Sequence, residues 1–401
     1  MENKKLKVLI LTWEYPPFIV GGLGIYCYNL AKALYYNDVE LTIIIPEKFK
    51  GKKRFVDLLS TNTIKDAGKD FKPKRIVTII GKKLRINKSE QAQTRAGVYK
   101  EDFTSDVKDY AKKVKEIAKN LNFDVIHCMD RLTMPAAIEA KKISGKPIIS
   151  TVHSLEQDRR KKIKKVALEI ERLMLKKSKR LIAVSRYEKN RVIKYYKINP
   201  NKIDVIYESV PKRTNEKFSF KKKNKYVLFL GRLAPQKGCK FFLDAAKKVL
   251  EKEPKTKFIV AGKGISMSRL MKQAEKLGIS DNVTFTGYVG GKDIDRLYKI
   301  ADVYVMPSVS EPFGLTPLEA IKNDCPVIVS NNSGFKEIFS NSLRIKYSEI
   351  NDIANKILAV LKYKQLNKTL RKNALVEIKK LSWDKIAKDN IKVYNKILKI
   401  Q

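Results

Sequence analysis

Two glutamates flank a glycine in Ser310-Glu311-Pro312-Phe313-Gly314-Leu315-Thr316-Pro317-Leu318-Glu319-Ala320, and no other stretch of the chain is better arranged to do chemistry. The run before it, Ala301-Asp302-Val303-Tyr304-Val305-Met306-Pro307, reads as a strand. Glu311 then falls in the loop past the strand's carboxyl end, and Glu319 about two turns inside the following helix. Gly314 lets a ligand approach the backbone, and the free N–H groups of Leu315 and Thr316, at the positive end of a helix dipole, suit a phosphate. A carboxylate on each side of such a nest fits a sugar joined to a nucleotide diphosphate. Taken alone, the pair also fits a plain helix start, with Glu311 favouring the dipole and Glu319 in solvent.

Further groups of the right types recur at strand ends. Gly231-Arg232-Leu233-Ala234-Pro235-Gln236-Lys237-Gly238 offers a planar guanidinium and a mobile ammonium, both suited to phosphate, although a Lys-rich chain also produces such pairs by chance. Gly21-Gly22-Leu23-Gly24 resembles a dinucleotide fingerprint with Glu40 as its ribose acid. Its glycines start too far beyond Thr12, however, and Cys27 stands where the third glycine belongs. The two histidines, His127 after Asp124-Val125-Ile126 and His153 after Ile148-Ile149-Ser150-Thr151-Val152, both read as ending strands, where an isolated His is usually a structural hydrogen-bonder.

The elements that must position these groups are legible as alternating apolar runs and helical patterns. Strands are expected at 7–12, 41–45, 124–127, 147–152, 180–184 and 203–206, with a long basic, loop-rich stretch up to about 100. A Lys-rich segment, Pro211 to Lys225, reads as a linker. The alternation restarts with strands at 226–230, 257–261, 283–285, 302–306 and 326–330. Buried strands alternating with helices mean parallel sheets covered on both faces. The fold class is therefore α/β, with two Rossmann-like domains, 1–210 and 211–380, facing each other across a cleft. A last amphipathic helix in 381–401 completes the chain.

The motif Glu311-Pro312-Phe313-Gly314-Leu315-Thr316-Pro317-Leu318-Glu319 resembles the signature of retaining GT-B glycosyltransferases, in the large family that includes bacterial and archaeal glycogen synthases and sucrose synthase. The likeness continues through T-W-E-Y-P-P-F-I-V-G-G-L-G at 12–24, D-V-I-H-C-M-D at 124–130, T-V-H-S-L-E at 151–156 and G-R-L-A-P-Q-K-G at 231–238. It implies that Arg232 and Lys237 hold the nucleotide diphosphate and neutralise the leaving group. It assigns Glu311 to donor sugar hydroxyls, Glu319 to the ribose, and Phe313, Gly314, Leu315 and Thr316 to the donor. By the same resemblance Gly287, Tyr288 and Val289 hold the base, Gly21 and Gly22 lie beside the donor phosphates, and His153 stands at the sugar's reacting end. His127 and Asp130 are left as loop-ordering or acceptor-side residues. The final helix should cross back to the first domain.

The implied reaction is a front-face substitution with an α-linked product, in which the leaving phosphate helps deprotonate the acceptor; no second carboxylate motif offers itself for a covalent intermediate. The donor would be UDP- or ADP-glucose. The W-E-Y-P-P and H-S-L-E-Q-D-R elements lean towards an α-glucan acceptor, as in glycogen synthases. A lipid or cell-surface precursor is the alternative within the same chemistry, and a polyanion-binding protein on an inactive scaffold is the alternative outside it. Two departures stand out. Glycogen synthases often carry Lys two residues before the Gly pair, where this chain has Ile19. Glu208-Ser209-Val210 replaces a frequent Asn-Gly-Val, which puts the domain hinge in question.

Composition adds a bias. The chain has 401 residues and 85 Lys and Arg against 42 Asp and Glu, for a net charge of +43. That attracts polyanions, yet the excess of Lys over Arg and the abundance of Ile and Asn also fit a coding sequence rich in A and T. Four scattered cysteines and two histidines indicate neither a disulfide framework nor a zinc site, so no metal or other cofactor is expected. With no signal-like or membrane-spanning run, the expected location is cytoplasmic. The basic helical pattern from Asp158 to about Lys176, rich in Arg159, Arg160, Lys161 and Lys162, suggests peripheral contact with anionic membrane. No specific nucleic acid is expected.

Overall fold

The computed structural model describes residues 5–15, 21–48, 54–60, 76–78, 104–158, 165–211 and 223–399. They belong to two compact units: Met1–Glu156 with Ile163–Glu208 and Ser382–Gln401, and Gln157–Lys162 with Ser209–Leu381.

The first unit is built on β1 (Lys7–Leu11), α1 (Gly22–Tyr35), β2 (Glu40–Lys48), β3 (Arg54–Ser60), β4 (Ile76–Thr78), α2 (Thr104–Ala118) and β5 (Val125–Cys128). It continues with α3 (Met134–Ser144), β6 (Ile148–Val152), α4 (Lys165–Lys177), β7 (Arg180–Ala183), α5 (Arg186–Tyr196) and β8 (Ile203–Val205). Its eight strands lie in the order β4-β3-β2-β1-β5-β6-β7-β8. Leu9 and Leu11 pack into one hydrophobic cluster while Val8 and Ile10 pack into another. Alternate residues of one strand therefore feed opposite faces, and helices must cover both, which is why β1 reads as an unbroken apolar run.

From β2 through β1 to β8 the strands pair in parallel. The other edge differs from expectation. β2 pairs with β3, and β3 with β4, in antiparallel fashion. The stretch read as loop-rich thus supplies two further strands, of which β4 forms the edge, and the sheet is mixed.

The second unit contains β9 (Tyr226–Leu230), α6 (Cys239–Leu250), β10 (Lys257–Ala261), α7 (Met267–Lys276), β11 (Val283–Gly287) and α8 (Lys292–Ile300). It continues with β12 (Val303–Met306), α9 (Leu315–Lys322), β13 (Val327–Ser330), β14 (Leu343–Ile345), α10 (Ile350–Lys362) and α11 (Lys364–Glu377). All six strands pair in parallel, in the order β11-β10-β9-β12-β13-β14. The chain runs outward from β9 to β11 and then returns to β12 on β9's other side. Such a reversal splays apart the loops that leave β9 and β12, and ligands of open parallel sheets bind there.

The last helix, α12 (Trp383–Leu398), packs with the first unit. Ile386, Ala387, Val393 and Tyr394 are buried with Tyr26, Leu30 and Leu34 of α1. Ser382 caps it, its hydroxyl accepting from the Lys385 N–H at 3.1 Å. Both units are Rossmann-like. Of the expected linker, 212–222 lie outside the described residues, as do 159–164 of the basic pattern; the described helix there starts at Lys165.

Candidate active site

In the second unit, β12 ends at Met306 and the loop to α9 carries Glu311. Its backbone is fixed as a short parallel bridge to Ser333, with the Glu311 N–H donating to the Asn332 carbonyl and the Glu311 carbonyl accepting from the Gly334 N–H. Its side chain is only 9% exposed, and the Lys237 ammonium donates to Oε2 at 2.6 Å; the Ser308 hydroxyl approaches the same oxygen at 3.3 Å. Lys237 comes from the loop after β9, 74 residues earlier. The two loops are also laced by backbone. The Val309 N–H donates to the Gln236 carbonyl at 2.8 Å, and the Gln236 side chain returns a bond to the Ser310 carbonyl at 3.1 Å.

Gly238 makes this closeness possible. Its φ is +71°, and a Cβ there would sit 1.9 Å from the Pro307 carbonyl oxygen, so any side chain would push the Lys237 loop off the end of β12. Gly314 plays the corresponding part at α9. With φ +112° it turns the chain into the helix, where no side chain caps the N-terminus. The amides of Leu315 and Thr316 open the helix and Pro317 has none. Glu319 is the fifth residue of α9, just over one turn in rather than two.

Two buried tyrosines brace this N-terminus. The Tyr304 hydroxyl donates to Thr316 Oγ1 at 2.7 Å and lies 3.2 Å from the Leu230 carbonyl at the end of β9. The Tyr298 hydroxyl lies 3.0 Å from the Thr316 carbonyl and 3.1 Å from Glu319 Oε2. The rings meet edge to face at 5.7 Å, and burial pushes both phenol pKa values up, so they remain donors. The Glu319 carboxyl is itself pushed up to about 7: desolvation raises it, the Tyr298 hydrogen bond lowers it, and Asp295 raises it again.

Arg232 is exposed, and its side chain makes no hydrogen bond or ion pair among the described residues, while its carbonyl accepts from the Ala234 N–H at 2.8 Å. Its loop is nevertheless fixed, Leu233 N–H donating to the Lys263 carbonyl at 2.9 Å and Gly231 N–H to that of Ala261 at 3.0 Å. Gly262 N–H in turn donates to the Gly287 carbonyl at 2.7 Å. The ends of β9, β10 and β11 are thereby joined, and Gly287 (φ +71°), Tyr288 and Val289 follow on the same edge. Tyr288 is 43% exposed. Phe313 is not available as a side chain: the whole residue is only 1% exposed.

The first unit holds the remaining candidates. Gly21 precedes α1, and its N–H donates to Glu14 Oε2 at 2.9 Å; Glu14 is buried and was not singled out in the sequence. His153 directly follows β6, and its Nδ1 lies 2.8 Å from Glu208 Oε1. His127 is a correction. It lies within β5, fully buried, with Nδ1 2.7 Å from the Tyr394 hydroxyl and Nε2 2.8 Å from Thr151 Oγ1. Burial pushes its pKa down to about 3, so it is a neutral core residue that ties α12 to the sheet rather than an acceptor-side group. Asp130 orders its loop, accepting from the Leu132 N–H at 2.8 Å.

Among the described residues no group of three or more His, Cys, Asp or Glu could hold a metal ion, and no helix is long and apolar enough to cross a membrane. Two family models match the chain in tandem, Glycosyltransferase Family 4 over residues 20–212 and Glycosyl transferases group 1 over 212–376. An uncharacterised glycosyltransferase of Methanocaldococcus jannaschii is 29% identical over 97% of this chain and 98% of its own. The UDP-Gal:alpha-D-GlcNAc-diphosphoundecaprenol alpha-1,3-galactosyltransferase of Escherichia coli is 30% identical over 62% of this chain and 68% of its own.

The chain belongs to the GT-B glycosyltransferases related to family 4. This glycosyltransferase also shares its fold with a sucrose-phosphate synthase from Thermosynechococcus elongatus, at a TM-score of 0.77 and 18% identity over 99% of this chain and 100% of that one. As such an enzyme it is an NDP-sugar-dependent transferase. The loops of its second unit carry the Lys237 ammonium, the Arg232 guanidinium and the start of α9, which no side chain caps.

Proposed function

We propose that the protein moves a hexosyl group, glucose first, from UDP- or ADP-sugar to a glycan acceptor with retention, leaving an α-linkage. The observation that carries this reading is the Lys237–Glu311 pair, 2.6 Å apart beside the uncapped start of α9. The diphosphate would accept from Arg232, Lys237 and the amides of Gly314, Leu315 and Thr316, and Glu311 would take donor hydroxyls. Glu319 would take ribose hydroxyls, and Gly287, Tyr288 and Val289 the base. As the glycosidic bond breaks, charge grows on the leaving phosphate. Donors already held in place by Gly238 and by the two tyrosines stabilise that charge without reorganising. The departing oxygen would accept the acceptor's proton on the same face. We extend the proposal to His153 as a substrate contact of the first unit, and to Gly21 and Gly22 as its phosphate-side backbone.

For the acceptor, the Trp13-Glu14-Tyr15-Pro16-Pro17 element supports an α-glucan. A second reading, a lipid-linked or cell-surface glycan precursor, is supported by the Escherichia coli relative. NDP release measured across a panel of sugar nucleotides separates them, with glycogen in one arm and a diphospholipid-linked monosaccharide in the other. Stimulation by glycogen upholds the glucan reading, and stimulation only by the lipid-linked sugar replaces it. No acceptor-dependent release with any donor would refute the activity.

A further inference from the structure

Glu208, where the sequence departs from Asn-Gly-Val, pairs with a residue of the first unit. β6, β7 and β8 lie side by side, with Val152 opposite Ala183 and Ala183 opposite Val205. His153 follows the first of these rows directly and Glu208 lies three residues past the last. The carboxylate reaches back across the end of β7 to the imidazole, 55 residues away in sequence. Both are largely withdrawn from solvent, the side chains 16% and 8% exposed. The ring is gripped from a second side by Tyr26, whose ring meets it edge to face at 4.7 Å and is itself 5.7 Å from that of Trp383.

An ionised carboxylate only accepts, so at 2.8 Å from Nδ1 it requires the hydrogen to be on Nδ1. The neutral ring then carries its lone pair on Nε2. That nitrogen is buried and has no hydrogen-bond partner among the described residues. His127 shows what an engaged histidine of this unit looks like, with both nitrogens satisfied. One nitrogen of His153 is thus open to a partner, as are the neighbouring Tyr26 hydroxyl and Trp383 indole N–H, whereas His127 has none open.

We propose that Glu208 is a positioning residue: it locks His153 in the Nδ1–H form and in one orientation, so that Nε2 is presented to substrate as a hydrogen-bond acceptor for a sugar hydroxyl. This rests on the reading of His153 as a substrate contact. A ring free to flip or to exchange tautomers would offer an N–H in part of the population, which a hydroxyl donor cannot use.

The chain has only two histidines, which makes the test direct. Nitrogen-15 NMR of histidine-labelled protein, above the imidazole titration range, should give for His153 a pyrrole-like Nδ1 and a pyridine-like Nε2. Signals lost in His153→Asn make the assignment. Glu208→Gln can still accept through its amide oxygen and should keep that tautomer and most of the turnover. Glu208→Ala should mix the tautomers and lower kcat roughly tenfold to a hundredfold, the range that orienting partners of histidine command at metal sites, while the donor KM changes little. A wild-type ring protonated on Nε2, or a Glu208→Ala protein with unchanged tautomer and kcat, would overturn the proposal. Should Glu208→Ala not fold, the wild-type spectrum alone decides. His153→Ala at wild-type turnover would instead sink the substrate-contact reading beneath it.

Discussion

Removing Lys237 separates a structural ion pair from a group that acts on the leaving phosphate. In the free protein Lys237→Ala strands the Glu311 carboxylate, 9% exposed, with the Ser308 hydroxyl at 3.3 Å as its remaining side-chain hydrogen-bond partner. Breaking a fully buried pair costs about 3–5 kcal/mol. Lys237 is 24% exposed and Glu311 keeps that hydroxyl, so about 1–2 kcal/mol of stability is the expected loss. Glu311→Gln added to Lys237→Ala removes the stranded charge, and denaturant midpoints should return most of that loss. Turnover should behave differently. If Lys237 also stabilises charge on the departing diphosphate, its loss costs at least about 2.7 kcal/mol of barrier, a hundredfold in kcat. The second substitution cannot restore that, so the double variant should be as slow as Lys237→Ala or slower. The assay is NDP release under saturating donor. Recovery of the double variant to within a few-fold of wild type would mean that the lysine serves the fold alone.

Three further outcomes follow from the same geometry. Glu319, with its carboxyl pushed up to about 7 from 4.5, is protonated in the folded protein over a range where the unfolded chain is ionised. Its contribution to stability is full below 4.5 and lost as pH rises through 7, so Glu319→Gln should gain stability relative to wild type across that window. If ribose hydroxyls donate to Glu319, binding of an intact sugar nucleotide should tighten as pH rises through 7. Calorimetry should show the variant weaker and flatter with pH, and identical profiles would exclude the contact. Gly238→Ala, whose Cβ meets the Pro307 oxygen at 1.9 Å, should cost more than about 2 kcal/mol in thermal or denaturant unfolding, and an unchanged midpoint would refute the tight approach.

Much of the scaffold is written in local pattern. β9 and β10 coincide with the runs read for them, because a strand buried on both faces is apolar along its buried length. The loop from β12 to α9 was legible because Gly314 and the residues after it announce a helix start. What local pattern does not carry is pairing at a distance. Nothing in the spacing of Lys237 and Glu311, or of His153 and Glu208, says that they meet; sheet order brings them together. Tyr298 and Tyr304 look like ordinary core residues in sequence, and only their hydroxyls' targets reveal them as braces of α9. β3 and β4 escaped because antiparallel strands in a basic stretch lack the apolar continuity of the central parallel ones, and β14, three residues long, is too short for any period. His127 misleads for a simple reason: a polar residue near a strand's end looks accessible until the helix that covers it, α12, is placed from the far end of the chain.

The central claim is retaining transfer from an NDP-hexose. Proton NMR of the product as it first forms tests it most directly, since the anomeric coupling reports configuration before any later equilibration. The account predicts an α-linked sugar from an α-linked donor, with formation lost in Glu311→Gln. A β-linked product would contradict it.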